Sequence, residues 1–153
     1  MTESLTPKSI RASRVTLSQL MHPEHANLLG NVHGGWIMKL ADEAGALSCM
    51  RHAHRKVVTV AIDSMTFRQP IKLGDLVILN SEVTYTGRTS MEATVQVVAE
   101  NPITGERTHT NTLTWFMSRW TMKAVRRLSH LSKPKRKRTS ARWNWPRSDR
   151  HDD

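Results

Sequence analysis

Asn31-Val32-His33-Gly34-Gly35-Trp36-Ile37-Met38-Lys39-Leu40-Ala41-Asp42-Glu43-Ala44-Gly45-Ala46-Leu47-Ser48-Cys49-Met50-Arg51 is the stretch on which the fold turns. Its first five residues are polar or glycine apart from Val32. From Trp36 onward the pattern is apolar, broken by charge only at Lys39, Asp42, Glu43 and Arg51. That pattern predicts a loop feeding a buried helix. A helix apolar on nearly every side is covered by protein over most of its surface. An unpaired buried carboxylate is costly, so Asp42 needs a reason to be there. Glu43 has one already, because Lys39 stands at i, i+4 to it. Asp42 at i, i+3 from Lys39 has a weaker version of the same explanation.

The start of this helix has its own chemistry. Gly34 and Gly35 leave backbone N–H groups uncovered by side chains at the positive end of the helix dipole, a setting that suits a developing oxyanion. Asn31 and His33 stand just before it with donors to offer, although an asparagine there also serves as an ordinary cap. A rise of roughly 1.5 Å per residue separates the helix start from Asp42 by about 12 Å. One chain therefore keeps Asn31 and Asp42 apart. A two-fold partner bearing an antiparallel copy of the helix would bring them together, since isologous contacts pair residue i with j and j with i.

Around the helix the chain reads as strands. Residues 14–21 alternate loosely enough for a first strand, 22–32 form a loop punctuated by Pro23 and Gly30, and 56–67 are rich in β-branched residues. Residues 76–86 and 89–100 make the clearest hairpin, with Val77, Leu79, Ser81, Val83 and Tyr85 on one face and Met91, Ala93, Val95 and Val97 answering them. A turn at 101–105 leads into a last strand at 106–117. The order β-α-β-β-β-β predicts an α+β domain, one long helix against a single curved antiparallel sheet of about five strands.

As an ordered set, Gly30-Asn31-Val32-His33-Gly34-Gly35-Trp36-Ile37-Met38, Asp42-Glu43-Ala44-Gly45, Val57-Val58-Thr59-Val60, Asp63-Ser64-Met65-Thr66-Phe67, Pro70-Ile71, Gly74-Asp75 and Gly87-Arg88-Thr89-Ser90 resemble the hotdog-fold acyl-CoA thioesterases of the cytosolic acyl-CoA hydrolase type. The resemblance covers roughly residues 14–112. It implies hydrolysis of acyl-CoA to free acid and CoA, with Asp42 as base or nucleophile on the thioester and Asn31 completing the site from a second hotdog unit. Gly35 would polarise the carbonyl, and His33 would orient the loop or donate to substrate. CoA carries a diphosphate and a ribose phosphate, so Arg88, Thr89 and Ser90 are candidate contacts, with Arg68 and Lys72 behind them. CoA is then part of the substrate, and no cofactor is expected. The resemblance also implies a homodimer, with a trimer of dimers as the larger assembly.

Other bounds are compatible with that reading. At 153 residues the chain is large enough for one domain with a real core. A single cysteine, Cys49, excludes an internal disulfide and reads as a buried structural thiol. The scattered histidines make no metal-ligand spacing. No segment has the apolar core of a signal peptide or the length of a membrane span, and a cytoplasmic protein is expected.

The net charge of +10 is uneven. Residues 1–117 hold 11 Lys/Arg against 10 Asp/Glu, whereas 118–153 hold 12 against 3. This marks a domain at 12–117 and a basic tail at 118–153, with 132–153 too charged and too poor in apolar surface to order. Lys133-Pro134-Lys135-Arg136-Lys137-Arg138, interleaved with Trp143 and Trp145, supports an alternative function, nucleic-acid binding. A further alternative is a hotdog protein that binds acyl-CoA without cleaving it, against which Asp42 argues.

The tail also departs from the resembled family beyond Thr112, where an aromatic strand and a Val-Asp-Asp/Glu-Gly motif are expected. Trp and Met have single codons, so Trp120-Thr121-Met122-Lys123 reads TGG-ACN-ATG-AAR. Moved back by one base, those codons allow Val-Asp-Asp-Glu-Gly, and residues 113–117 allow Ala-Tyr-Leu-Val-Tyr. The expectation is that the chain from about Leu113 is an out-of-frame reading, which makes the basic run an accident of codon usage.

Overall fold

Alternation of apolar and polar residues builds the sheet. The computed structural model describes residues 8–62, 65, 67 and 69–119, and in it β1 (Val15–Leu20), β2 (Val57–Ile62), β3 (Leu76–Thr86), β4 (Ser90–Glu100) and β5 (Arg107–Arg119) form one antiparallel sheet in the order β1-β3-β4-β5-β2. Every second residue of the long strands faces inward. Val77, Leu79, Ser81 and Val83 of β3, Met91, Ala93, Val95, Val97 and Ala99 of β4, and Leu113, Trp115 and Met117 of β5 are all buried. Each large side chain so removed from water contributes about 1.5–3 kcal/mol.

The helix α1 (Gly34–Ala53) lies on that inner face and buries Ile37, Leu40, Ala41, Ala44, Gly45, Ser48 and Cys49, packing chiefly on β3 and β4. This is the hotdog arrangement of one long helix against a single sheet. Two small residues admit their neighbours. A Cβ on Gly45 would stand 3.4 Å from Trp115 Cγ and 3.3 Å from Met117 Cε, and one on Gly34 would stand 3.1 Å from the Phe67 ring. The helix ends at His54, which takes a left-handed φ of 51° and donates its N–H to the Met50 carbonyl at 2.8 Å.

The helix starts at the expected Gly34-Gly35 with His33 as its N-cap, but three details differ from the sequence expectation. The helix is not covered on most sides within one chain, because Lys39 and Glu43 are exposed and Met38 and Leu47 are each 41% exposed. The strand expected at 56–67 stops at Ile62, and Phe67 instead sets its ring over Gly34. The described elements also extend past the expected 12–117 at both ends. A 3₁₀ turn, Ile10–Ser13, precedes β1 and ties Ser13 Oγ to the Val83 N–H at 3.0 Å, and β5 continues to Arg119 opposite Val57. Apolar residues at 113, 115 and 117 preserve the alternation, which is why the strand persists there. Of the basic tail expected at 118–153, only Ser118 and Arg119 fall among the described residues, as the end of β5.

Candidate active site

Asp42 sits half-buried on α1, at the border between its packed and open faces. Its Oδ1 is held from the sheet by two donors. Trp115 Nε1 of β5 donates at 3.0 Å, and the Thr59 hydroxyl of β2 donates to the same oxygen. Thr59 Oγ1 also lies 3.3 Å from Met117 Sδ. Among the described residues Oδ2 has no hydrogen-bond partner, so one carboxylate oxygen is anchored and the other is available. Lys39 does not pair with Asp42. Its Nζ lies 2.7 Å from Glu43 Oε1 and 5.4 Å from the Trp36 ring centroid, as the i, i+4 spacing predicts.

The loop before the helix is organised by its own hydrogen bonds. Asn27 Oδ1 accepts from the Leu29 N–H at 2.8 Å and the Asn31 N–H at 3.2 Å, while the Asn27 N–H donates to the Asn31 carbonyl at 2.7 Å. Gly30, at φ 78°, closes that turn in a conformation costly for a side-chain-bearing residue. His25 is buried, accepts the His22 N–H at Nδ1, and meets Trp36 edge-on with centroids 4.6 Å apart. Its carbonyl receives the His33 N–H at 2.7 Å, so the loop is clamped to the helix start. A hollow of about 280 Å³ opens there, lined by Glu24, Ala26, His33, Gly35 and Trp36.

The expected site residues fall into separate places. Asn31 is half-buried beside the helix start and bridges to Lys72, which is exposed and takes Asp75 Oδ2 on its N–H at 3.0 Å. The Gly35 N–H, expected to face a substrate carbonyl, already donates to His33 Nδ1 at 2.9 Å. That contact is a capping bond, and a carbonyl reaching the N–H has to displace the imidazole. Arg88, Thr89 and Ser90 are exposed at the β3–β4 turn. Ser90 pairs with Ser118 and Met91 with Met117, which pairs onward with Thr59. Two strand spacings, roughly 10 Å, thus separate the start of β4 from Thr59. Arg68 lies outside the described residues.

Sequence reasoning missed Asn27, His25, Thr59 as a partner of Asp42, and Trp115. Asn27 carried a usable signal, a second asparagine flanking Gly30 in the same loop. The bond from Trp115 joins residues 73 apart in the chain, and no local spacing announces it. Cys49 is fully buried, and burial pushes its thiol up to about 11, with a hydrogen bond from Ser48 opposing. His52 is lowered from its ordinary value by burial, with Lys8 and His54 adding to it. Among the described residues no group of three His, Cys, Asp or Glu could hold a metal ion, and no helix is long and apolar enough to cross a membrane.

Residues 29–106 match the family described as the Thioesterase superfamily. The cytosolic acyl coenzyme A thioester hydrolase of Mus musculus is 38% identical over 110 residues, a span of 67% of this chain but 29% of that protein. A Haemophilus influenzae protein named as an uncharacterised acyl-CoA thioester hydrolase is 40% identical over 113 residues, 70% of this chain and 73% of that one. Among solved structures, an apo-hexameric acyl-CoA thioesterase superposes with a TM-score of 0.73 at 39% identity, covering 76% of this chain and 74% of that one. The acyl-CoA hydrolase of Staphylococcus aureus, solved with butyryl coenzyme A and coenzyme A, gives 0.71 at 28% identity, covering 76% and 71%. That hydrolase has also been solved with alanine replacing an aspartate, an asparagine fifteen residues before it, or a threonine seventeen residues after it.

Proposed function

The chain belongs to the thioesterase superfamily, and from that premise we propose that it hydrolyses acyl-CoA thioesters to free carboxylic acid and CoA, with Asp42 as the reacting carboxylate. The observation that carries the reading is the hydrogen bond from Thr59 to Asp42. These two residues stand seventeen apart, the separation of the aspartate and threonine altered in the Staphylococcus aureus hydrolase. The same comparison, counted fifteen residues back from Asp42, falls on Asn27 rather than Asn31. We therefore assign the amide of the site to Asn27 and give Asn31 the supporting role of donating its N–H to Asn27 Oδ1.

In this mechanism Trp115 and Thr59 occupy Oδ1, and Oδ2 either takes a proton from the water that attacks the thioester carbon or attacks that carbon itself to form an anhydride that water then cleaves, the C–S bond breaking and CoA leaving as thiolate in both routes. Both routes need an oxygen without a donor. The carbonyl oxygen is stabilised from the loop and helix start of the second subunit, by its Asn27 amide and its Gly35 N–H once the capping imidazole turns aside. The helix rise that separates this loop from Asp42 makes the site a shared one, built between two subunits. Dimers, or trimers of dimers, are the proposed assembly, and the hexameric thioesterase among the similar structures supports it. Arg88, Thr89, Ser90 and Lys72 are proposed to hold the CoA phosphates, Arg88 and Lys72 by charge and the two hydroxyls by hydrogen bonds. CoA enters as substrate, and no cofactor is invoked. We take residues 10–119 as the catalytic domain and propose the cytosol as its compartment, as the mouse relative's name states of that protein. Nucleic-acid binding rests on residues 133–145, which lie outside the described residues.

The test is turnover of a series of acyl-CoA chain lengths by the full chain and by Asp42→Ala. The reading predicts release of free CoA by the wild type and a loss of about a thousandfold in kcat for the variant. Equal turnover by both proteins would remove Asp42 from the chemistry.

A further inference from the structure

We propose that Trp115 is a positioning residue for the Asp42 carboxylate, fixing which of its two oxygens faces the thioester. The inference rests on Asp42 being the reacting group. Of the two donors to Oδ1, Thr59 is exposed, and its hydroxyl is a rotor with a second acceptor, Met117 Sδ, at 3.3 Å. Trp115 has no such freedom. It is fully buried, its Cγ lies 3.4 Å from where a Cβ on Gly45 would stand, and β5 pairs it on one side with Ala93 and on the other with Ile62. Gly45 is three residues after Asp42, so both share one helix face. The missing side chain at Gly45 lets the indole lie close against α1 while its Nε1–H reaches Oδ1 at 3.0 Å. A rigid donor fixes the rotation of the carboxylate about its Cβ–Cγ bond and leaves Oδ2 as the presented oxygen. Orientation of this kind favours the reacting geometry without adding binding to the ground state.

Two measurements test the proposal. Steady-state kinetics of Trp115→Phe, which keeps an aromatic ring and removes the N–H, and of Trp115→Leu should show kcat lowered about tenfold with KM within about twofold, the split expected of a group that aligns rather than binds. In ¹H–¹⁵N spectra of the full chain, the Nε1–H signal of Trp115 should move when Asp42 is replaced by Ala, while the other indole signals stay in place. The Trp115 signal is identified by its loss in Trp115→Phe or, should that variant not fold, by sequential connection along β5. Wild-type kcat in Trp115→Phe beside an inactive Asp42→Ala would overturn the positioning role and leave the hydrolytic reading standing, as would an indole signal indifferent to Asp42. Activity retained in Asp42→Ala would overturn both.

Discussion

The loop ahead of α1 and the Asp42 pocket behind it are both polar, but they are held together in different ways. The loop's side chains make their bonds over two to four residues, while its backbone is also pinned to the segment before β3, the Val32 N–H donating to the Ile71 carbonyl at 2.9 Å beside the Asn31–Lys72 bridge. Asn27 Oδ1 takes the N–H groups of Leu29 and Asn31, His33 takes that of Gly35, and His25 takes that of His22. Asp42 is instead held across the fold, by β2 and β5, from residues 17 and 73 positions away. The loop's amide and imidazole groups are therefore set by short-range bonds. The pocket exists only once the sheet has closed on the helix. The proposed shared site would take a preformed loop from one subunit and a folded core from another.

That contrast can be broken at its strongest point by exchanging the asparagines. Asn27→Ala should lower kcat about a hundredfold, the scale for loss of one oxyanion donor. Asn31→Ala, which keeps its backbone N–H on Asn27 Oδ1, should stay within about fivefold. The reverse ranking in a hydrolysis assay would return the catalytic amide to Asn31. A smaller effect belongs to the cap. His33→Ala removes the acceptor for the Gly35 N–H and should cost about 1 kcal/mol, read as a fall in Tm of a few degrees, whereas an unchanged Tm would show the cap to be idle.

A further effect, on stability rather than turnover, lies in the core behind Asp42. The Cys49 thiol is raised from 9.0 to about 11 in the fold, so folding favours its neutral form. The stability this provides is fully present below pH 9 and is lost as pH rises toward 11. Thermal unfolding of wild type and Cys49→Ala should therefore diverge least at the top of that window. A wild-type Tm that does not approach the variant's between pH 9 and 11 would contradict the burial.

The same difference in range explains what was legible in the chain beforehand. The hairpin of β3 and β4 follows from alternation at period two, and the helix from one apolar run, because both patterns are local. Gly34-Gly35 and His33 marked the helix start, and Lys39 with Glu43 announced its own ion pair. Asp42 was legible as a charge without a local excuse. Its partners were not, since Thr59 and Trp115 meet it only through sheet order, and the adjacency of β5 and β2 has no signature in either strand. Asn27 and Asn31 flank one glycine and look alike in sequence. The loop geometry, with an Asn27 side chain that organises the turn and an Asn31 that contributes its backbone, and the spacing to Asp42 separate them. The end of β2 was overread because Met65 and Phe67 keep a strand-like composition where the chain has already left the sheet.

The shared site is the central claim, and subunit mixing tests it most directly. Asn27→Ala and Asp42→Ala are each expected to be inactive in every assembled copy. After verified exchange of equal amounts, random pairing leaves half the dimers mixed, each with one intact site, so about a quarter of wild-type turnover should return. Turnover that stays at the level of the parent variants, with mixed dimers present, would contradict a site built from the loop of one subunit and the carboxylate of the other.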